Sequence, residues 1–138
     1  MTIDIRVHQK FSKRVLRHRL TDVVAKAMRQ HVTDVSVTIY ITTDSEIRTL
    51  NKKFHANDAP TDVLAFPTGN ADYLGDVVIS YDRAREQARD AHWRIADELD
   101  LLAVHGVLHL LGYADLTPRK RAKMWKRQEE ILGKKIDE

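Results

Sequence analysis

Cysteine is absent from all 138 residues of the sequence. Its absence excludes disulfide bonds, thiolate metal sites and cysteine nucleophiles. Any metal ion must therefore be bound by histidine nitrogen atoms and carboxylate oxygen atoms. The chain has 7 histidines and 20 acidic residues from which such a site can be formed.

Long hydrophobic runs are also absent. The longest uncharged stretch, residues 101–114, contains histidine and glycine and is too short to span a membrane. The N-terminal residues carry positive charges with no apolar segment behind them, so they do not form a signal peptide. We therefore expect a cytoplasmic protein that does not associate with a membrane.

The composition is that of an ordinary globular protein, with 43% hydrophobic and 31% charged residues. At this length, and without repeats, low-complexity segments or a linker, the sequence predicts one domain over residues 1–138. The net charge is +3, and the pI of about 9.2 indicates a surface rich in lysine and arginine. That excess permits a polyanionic partner but does not require one.

Hydrophobic periodicity and turn residues predict strands and helices in an irregular order. The predicted strands cover residues 3–7, 35–41, 63–66 and 76–80, with a loop over 68–75. The predicted helices run from Ser12 to about Gln30, from Thr43 or Asp44 through Leu50, over 82–92, over 97–111, and onward from Thr117-Pro118. The 97–111 helix is apolar on nearly every face, which is typical of a buried helix. Because no regular βαβ repeat is present, we predict the α+β class, with a single mixed sheet of about four strands packed with helices.

Two histidines and an aspartate lie close together near the end of that apolar helix. His105 and His109 are four residues apart, so both imidazoles lie on one helix face at a spacing that allows them to bind one ion. Gly112 can adopt a left-handed conformation that ends the helix and turns the chain, bringing Asp115 to the same ion. Two nitrogen ligands and one oxygen ligand leave a fourth tetrahedral position for water, which is typical of a catalytic zinc site.

Other interpretations of this segment remain open. A histidine in an apolar helix is more often a hydrogen-bonded core residue than a metal ligand, although burying two of them without partners is unfavourable. The spacing also matches a zinc peptidase motif, but Gly106 stands where that motif has its catalytic glutamate. Glycine within a helix is about 1 kcal/mol less favourable than alanine, so Gly106 indicates the close approach of a strand, a substrate or another helix.

Four segments of the sequence resemble the YbeY family of endoribonucleases. HGVLHLLGYAD, from His105 to Asp115, is similar to the family pattern H-G-x-L-H-L-x-G-Y-D-H. Leu50-Asn51, PTDVLAFP at 60–67 and LGDVVIS at 74–80 are similar to the family's L-N, P-T-D-V-L-S-F-P and L-G-D-I-x-I-S blocks. The blocks occur in the family's order and at its spacing, which makes the set far more specific than any single motif.

The resemblance implies a single-strand-specific, metal-dependent endoribonuclease that acts in ribosomal RNA processing and in ribosome maturation or quality control. It further implies one zinc ion per chain, a single-stranded RNA substrate that is ribosomal RNA, and the ribosome or ribosome-associated proteins as partners. The family's metal is bound by three histidines.

The sequence departs from the family pattern in two places. Asp115 replaces the third histidine, and Ala114 stands where the family has aspartate. A carboxylate is an acceptable zinc ligand, but its charge makes manganese or another harder ion more plausible. His55 replaces an arginine, and histidine binds a phosphate strongly only when it is protonated. Lys52 and Lys53 are candidate substrate-binding residues that would compensate.

The expected mechanism is metal-assisted phosphodiester hydrolysis. His55 is a candidate catalytic residue that stabilises charge on the phosphate or moves a proton, and Asp62 is one that orients the water or a metal-binding histidine. A turn after Pro60 explains Asp62 about as well, and an exposed loop position explains His55 somewhat better. The resemblance alone indicates that Thr61 and Ser80 contact substrate.

Two basic clusters are candidate RNA contacts, although such runs are usually solvated faces. The first comprises Lys10, Lys13, Arg14, Arg17 and Arg19, and the second comprises Arg119, Lys120, Arg121, Lys123, Lys126 and Arg127. The second cluster is the better candidate because it follows Asp115 closely. Trp125 lies within it and can stack on a base, but packing in the core is the better interpretation.

Two competing functions remain open at this point. One is a ribosome-associated RNA-binding protein with a structural metal and little catalysis, and the other is a metallopeptidase, which Gly106 disfavours. Metal removal separates the first from a hydrolase, because a structural ion is needed for folding whereas a catalytic ion is needed mainly for cleavage.

Overall fold

The computed structural model describes residues 1–29 and 34–136, which form four strands, five α-helices and a short 3₁₀ helix at Gln9–Phe11. In chain order the strands are β1 (Thr2–Val7), β2 (Ser36–Thr42), β3 (Val63–Pro67) and β4 (Tyr73–Ser80). The helices are α1 (Arg17–Met28), α2 (Asp44–His55), α3 (Tyr81–Ala91), α4 (Ile95–Leu110) and α5 (Pro118–Leu132).

The four strands join one mixed sheet in the order β1-β2-β4-β3. β2 pairs in parallel with both β1 and β4, whereas β3 is antiparallel to β4 at the sheet edge. Alternation along β4 directs Val77 and Ile79 to one face of the sheet and Val78 to the other. The predicted α+β class and single mixed sheet are confirmed.

The main core lies between one face of the sheet and helices α1 and α4. Its fully buried residues include Val24 of α1, Ile39 of β2 and Leu108 of α4. On the opposite face, Ile47 of α2 packs with Leu64 of β3. Helix α4 contacts β3, β4, α1, α3 and α5, so its position is determined from every side. Within the described ranges, no helix has the length and apolar character needed to cross a membrane.

Helix α1 begins later than the sequence pattern predicts. The pattern predicts a cap at Ser12, but Ser12 ends the 3₁₀ helix instead, and the helix begins at Arg17. The reason is Phe11, which is buried and stacks on Tyr81 with ring centroids 4.2 Å apart. This long-range contact holds the chain in a separate turn before α1. The helix ends at Met28, and the predicted end at Gln30 lies outside the described residues.

Strand β4 is longer than predicted and shortens the loop before it. It begins at Tyr73 rather than at Asp76, because residues from Tyr73 onward pair with β2 from Ser36. The hydroxyl of Tyr73 also hydrogen-bonds to Thr38 and to Asp76 across the sheet surface. Asp76 therefore lies within the strand rather than at its start, as the pattern had indicated.

The predicted helix caps are largely observed. Thr43 caps α2 and Thr117 caps α5, each accepting a backbone N–H of the first turn through its side-chain oxygen. Helix α2 continues past the predicted Leu50 to His55 and ends at Ala56, which has a left-handed φ of 54°. The added residues include Lys52, Lys53 and His55 in the last turn of the helix.

Candidate metal centre and adjoining cleft

The last turns of α4 carry His105 and His109 on one face. Their Nε2 atoms lie 3.1 Å apart, and their ring centroids lie 4.6 Å apart. Two nitrogen ligands of one tetrahedral zinc ion, each about 2.0–2.1 Å from the metal, are expected roughly 3.4 Å from each other. The helix therefore holds two imidazole nitrogens close to the separation that a single ion requires.

Asp115 completes a group of three candidate ligands. Gly112 follows α4 with a φ of +100°, a conformation that side-chain-bearing residues rarely adopt, and turns the chain back. Oδ2 of Asp115 lies 4.0 Å from Nε2 of His109, and one ligand atom from each residue of the group lies within 4.8 Å of the others. The Asp115 side chain is 47% exposed, so it lies on the solvent side of the group. These three residues can hold a metal ion.

Gln128 of α5 orients His105, although it belongs to none of the sequence motifs. Nδ1–H of His105 donates to Oε1 of Gln128 at 2.6 Å, and Gln128 is 0% exposed. Because an amide oxygen can only accept, the proton lies on Nδ1 and the lone pair of Nε2 is free for a metal ion. The one sequence signal for Gln128 is its register, since it shares the buried face of a polar helix with Met124 and Ile131.

The surroundings of His105 favour its neutral form. Burial lowers the pKa of His105, and this effect, together with electrostatic repulsion from His109, outweighs the raising effects of Gln128, Asp62 and Asp115. A neutral imidazole is the form that binds a metal ion. The tautomer of His105, its neutral form and the nitrogen and oxygen donors of the three candidate ligands therefore all suit a divalent ion.

Gly106 lies between the two histidines, where α4 crosses the sheet. A Cβ atom at this position would lie 2.4 Å from Cγ1 of Val77 and 3.3 Å from Cγ2 of Val63. Glycine is needed here because β4 and β3 pack directly against this turn of the helix. Among the explanations that the sequence left open, an approaching strand is the one observed.

A cleft of about 690 Å³ lies beside the metal centre and is lined by both His105 and Asp62. Oδ1 of Asp62 accepts from the backbone N–H of Val63 at 2.8 Å, and its Oδ2 accepts from Nε2 of Gln87 at 3.4 Å. The hydroxyl of Thr61 lies 3.4 Å from Oδ1 of Asp62. Asp62 therefore combines a local turn contact with a carboxylate that faces the same cleft as His105.

The cleft also contains residues that sequence reasoning missed. Trp125 does not pack in the core as expected. It is half-buried, lines the cleft and lies 6.5 Å from the His105 ring, centroid to centroid. Trp93 and Glu98 line the cleft as well, and burial raises the pKa of Glu98. A carboxylate two turns before His105, on the same face of an apolar helix, was the available signal for Glu98.

Comparison with known proteins identifies the family. A sequence model of the family described as Endoribonuclease YbeY matches residues 2–135. The chain belongs to the endoribonuclease YbeY family. The enzyme class expected from the sequence, a hydrolytic endoribonuclease, is that of this family and is confirmed, and the peptidase and non-catalytic alternatives are not favoured.

Individual YbeY relatives agree with this assignment. Endoribonuclease YbeY of Aquifex aeolicus (strain VF5) is 42% identical over 107 residues, which cover 75% of this chain and 71% of that protein. Endoribonuclease YbeY of Bacillus subtilis (strain 168) is 38% identical over 120 residues, covering 77% and 76%. The solution structure of TM1509 from Thermotoga maritima is similar with a TM-score of 0.71 and 30% identity, over 95% of this chain and 87% of that one.

Among the described residues, the candidate residues at the end of α2 make no hydrogen bond or ion pair with the candidate metal ligands of this YbeY chain. His55 is exposed, with its ring centroid 5.6 Å from that of Phe66, and it is not among the described residues that line the cleft. Lys52 lies 3.9 Å from a carboxylate oxygen of Asp58, and Lys53 lies over the ring of its neighbour in sequence. All three side chains are exposed, and their predicted role in binding substrate or in catalysis stays a prediction.

Ser80 is fully buried at the start of α3. Its hydroxyl donates to Oδ1 of Asp44 at 2.6 Å and accepts from the backbone N–H of Arg83 at 3.1 Å. Both hydrogen bonds serve the beginning of the helix. The predicted contact of Ser80 with substrate has no supporting observation in the structure and stays a prediction.

The two basic clusters differ in their surroundings. In the first, Arg19 donates to Asp97 and to Asp100 at 2.6 Å each, so its positive charge is already paired with carboxylates of the fold. In the second, Lys120 and Lys123 are exposed and line a cavity of about 320 Å³ beside the turn that precedes Asp115. The second cluster is therefore the one that adjoins the candidate metal ligands.

Proposed function

We propose that this chain is a metal-dependent endoribonuclease that cleaves single-stranded RNA in the cytoplasm, with ribosomal RNA as its substrate during ribosome maturation. The observation that carries the proposal is the convergence of His105, His109 and Asp115, with Gln128 holding His105 in its ligating tautomer. Family membership supports the reaction class. We expect the ribosome or ribosome-associated proteins to present the RNA.

One zinc ion per chain would be held by His105, His109 and Asp115. Two imidazoles and one carboxylate leave a fourth position open, as catalytic zinc sites require. When bound, such an ion supplies a Lewis acid for a phosphate oxygen and lowers the pKa of a water molecule. Because a carboxylate replaces the family's third imidazole, manganese is the alternative ion.

Asp62 is the side chain to which we assign proton transfer. Its Oδ1 is anchored by the backbone N–H of Val63, and its Oδ2 lies in the cleft that His105 also lines. The carboxylate can therefore orient an attacking water molecule or accept its proton. The neighbouring hydroxyl of Thr61 can donate a hydrogen bond to a phosphate oxygen.

Positive charge for the RNA backbone comes from two exposed places. Lys120 and Lys123 adjoin the turn before Asp115, where they would neutralise phosphates next to the scissile one. Lys52, Lys53 and His55 lie at the exposed end of α2, where they would contact phosphates further along the strand. His55 would contribute there only when it is protonated.

Metal content and RNA cleavage, measured together, test the proposal. Wild type is compared with His109→Ala, Asp115→Ala and a control, His18→Ala, whose side chain is 94% exposed. We expect about one ion per wild-type and control chain, and loss of the ion and of roughly 99% of single-stranded RNA cleavage in the two ligand variants. A wild type that stays free of metal after reconstitution, or that cleaves equally well in chelator, would refute the proposal.

A further inference from the structure

The cleft beside His105 contains both tryptophans of the chain. Trp93 lies between α3 and α4, whereas Trp125 lies on α5, so the fold brings them together from distant positions. The cleft volume of about 690 Å³ falls within the range of about 300–1,000 Å³ that is typical of small-molecule sites. Flat indole rings in such a cleft are suited to stacking against a planar ligand.

Glu98 is a buried acid in the wall of this cleft without a cationic partner. The residue is 5% exposed, and its Oε1 accepts from Nε1 of Trp93 at 3.0 Å. Among residues 1–29 and 34–136, no other group donates a hydrogen bond to its carboxyl. Acidic side chains are rarely buried to this extent unless they are paired. The Oε2 atom of Glu98 is therefore available to a ligand that donates hydrogen bonds.

The charge of the cleft decides which part of an RNA can enter it. Three carboxylates, from Asp62, Asp90 and Glu98, and one ammonium, from Lys135, contribute to its lining. A phosphate held against Glu98 would be repelled by these carboxylates, unlike the scissile phosphate, which would lie at the candidate metal ligands. A neutral, flat group with N–H donors is complementary both to the carboxylates and to the indole rings. A nucleobase has these properties, and proteins read unpaired bases by stacking and by hydrogen bonds to the Watson–Crick edge.

We propose that this cleft is a nucleobase subsite that binds guanine in preference to the other bases. The identification of that base as part of the RNA substrate rests on the proposed endoribonuclease function. Guanine presents two adjacent donors, N1–H and the exocyclic amino group. Oε2 of Glu98 can accept one of them, and Oε1, which has a second lone pair beside its hydrogen bond from Trp93, can accept the other. Adenine, cytosine and uracil each place an acceptor next to their donor, and that acceptor would face a carboxylate oxygen.

The position of the subsite relates it to the metal centre. Glu98 and His105 are seven residues apart on α4, which corresponds to roughly 10.5 Å along a helix axis. His105 belongs to both the metal centre and the cleft wall. A base held against Glu98 therefore places its own phosphate group near the candidate metal ligands, and the subsite selects the nucleotide beside the scissile bond.

Nucleoside binding, followed by NMR, tests the subsite without cleavage. The two tryptophans give two indole N–H resonances, and both report on the cleft. We expect guanosine to shift both resonances saturably, with a Kd about tenfold lower than those of adenosine, cytidine and uridine. Unshifted resonances with all four nucleosides, or equal Kd values, would overturn the proposal.

Protein variants and modified nucleosides test whether Glu98 makes the contact with the base. Glu98→Gln keeps an acceptor for Trp93 but replaces the other oxygen by a donor, so the preference for guanosine should disappear. Glu86→Gln, at an exposed position on α3, is the matched control and should retain it. Should Glu98→Gln fail to fold, inosine and 1-methylguanosine test the same contact with the wild-type protein. Each lacks one donor and should bind about tenfold more weakly than guanosine, and equal binding would overturn the proposal.

The nucleoside-binding experiment distinguishes a failure of the subsite proposal from a failure of the proposed endoribonuclease function. Nucleosides carry no phosphate, so their binding requires neither the metal centre nor cleavage. If the protein cleaves RNA in a metal-dependent manner but its indole resonances do not shift with any nucleoside, the subsite proposal alone is refuted. Guanosine binding by a protein that does not cleave RNA would refute the endoribonuclease proposal and leave the base-binding cleft in place.

Discussion

At the scale of single residues, the metal centre depends on an atom outside its candidate ligands. Oε1 of Gln128 accepts the Nδ1 proton of His105 at 2.6 Å, and this contact determines which ring nitrogen is free to bind an ion. The amide nitrogen of Gln128 is buried without a hydrogen-bond partner in the described part of the chain. An amide kept in a buried position with one unsatisfied group is unfavourable for stability, which is consistent with a role in orienting His105.

We expect Gln128→Leu to weaken zinc binding by about 10- to 100-fold, as is usual when the hydrogen-bond partner of a ligating histidine is removed. Leucine fills a similar volume but cannot accept the Nδ1 proton of His105. Competition with a fluorescent zinc chelator measures the Kd. Gln128→Glu retains an acceptor and should bind zinc at least as tightly as wild type. An unchanged Kd in Gln128→Leu would show that the hydrogen bond does not act on the metal.

Gly106→Ala should lower the free energy of unfolding by up to about 2 kcal/mol. Its methyl group would overlap Val77, and overpacking of this kind costs about 1–3 kcal/mol, partly offset by roughly 1 kcal/mol of helix propensity. Urea unfolding measures the loss. Because Val77→Ala removes the overlapping methyl groups, the double variant should be more stable than the sum of the single losses predicts. Strict additivity would contradict a direct contact.

At the scale of elements, charged groups tie the first turns of α4 to the rest of the fold. Asp97 accepts from Arg19 of α1 at 2.6 Å and from Lys134, after α5, at 2.8 Å. Burial acts to raise the pKa of Asp97, but these hydrogen bonds and one from the backbone of Arg94 outweigh it and hold that pKa well below its ordinary value. The adjacent Asp100 differs, because burial raises its pKa.

Asp97→Asn should destabilise the protein in a pH-dependent manner. Because folding lowers the pKa of Asp97, its stabilising effect is fully present above the ordinary value of 3.8 and declines as pH falls further toward the folded-state pKa. The difference in unfolding free energy from wild type should be about 1–3 kcal/mol near neutral pH and should shrink below about pH 4. The charge of Asp97 also helps to raise the pKa of Asp100, so the difference between the two proteins includes this coupling.

Urea unfolding at several pH values provides the measurement for Asp97→Asn. Asp22→Asn is the control, since the Asp22 side chain is 68% exposed and its one ion pair among the described residues is with the exposed His18. It should change stability by less than about 0.5 kcal/mol at every pH. A loss in Asp97→Asn that stays constant down to acid pH would show that the ionised carboxylate is not the stabilising species.

At the scale of the whole molecule, the metal centre lies at the edge of a core that is complete without it. The sheet, α1 and α4 pack through fully buried apolar residues such as Ile39, Val104 and Leu108. The candidate ligands lie at the end of α4 and in the turn that follows, and Asp115 is exposed. A metal bound there would stabilise a chain that is already folded, as is typical of catalytic ions rather than structural ones.

Removal of metal should therefore leave the protein folded. Zinc at about 100 times its Kd should raise the free energy of unfolding by about 2.7 kcal/mol, and a chelator should return it to the metal-free value. His109→Ala should show no zinc-dependent increase. Circular dichroism during urea unfolding detects both effects. A chain that unfolds in chelator alone would indicate a structural metal and would favour an RNA-binding protein over a hydrolase.

Features that depend on residues close together in the chain could be predicted from the sequence. The spacing of His105 and His109 follows from helix periodicity, and the turn to Asp115 follows from a glycine that can adopt positive φ. The caps at Thr43 and Thr117 are equally local, because each side chain bonds within its own first turn. The reaction class could also be predicted, because four local segments of the sequence together resemble those of one enzyme family.

Features that join distant segments could not be predicted from the sequence and became visible only in the folded chain. The hydrogen bond between His105 and Gln128 spans 23 positions, and the cleft draws its wall from residues between Asp62 and Ile136. The late start of α1 likewise depends on a stacking contact between Phe11 and Tyr81. Periodicity specifies which face of a helix or strand is apolar, but not which residue of another element meets it. Those pairings follow from side-chain packing in the folded core, and they determine what surrounds the metal ligands.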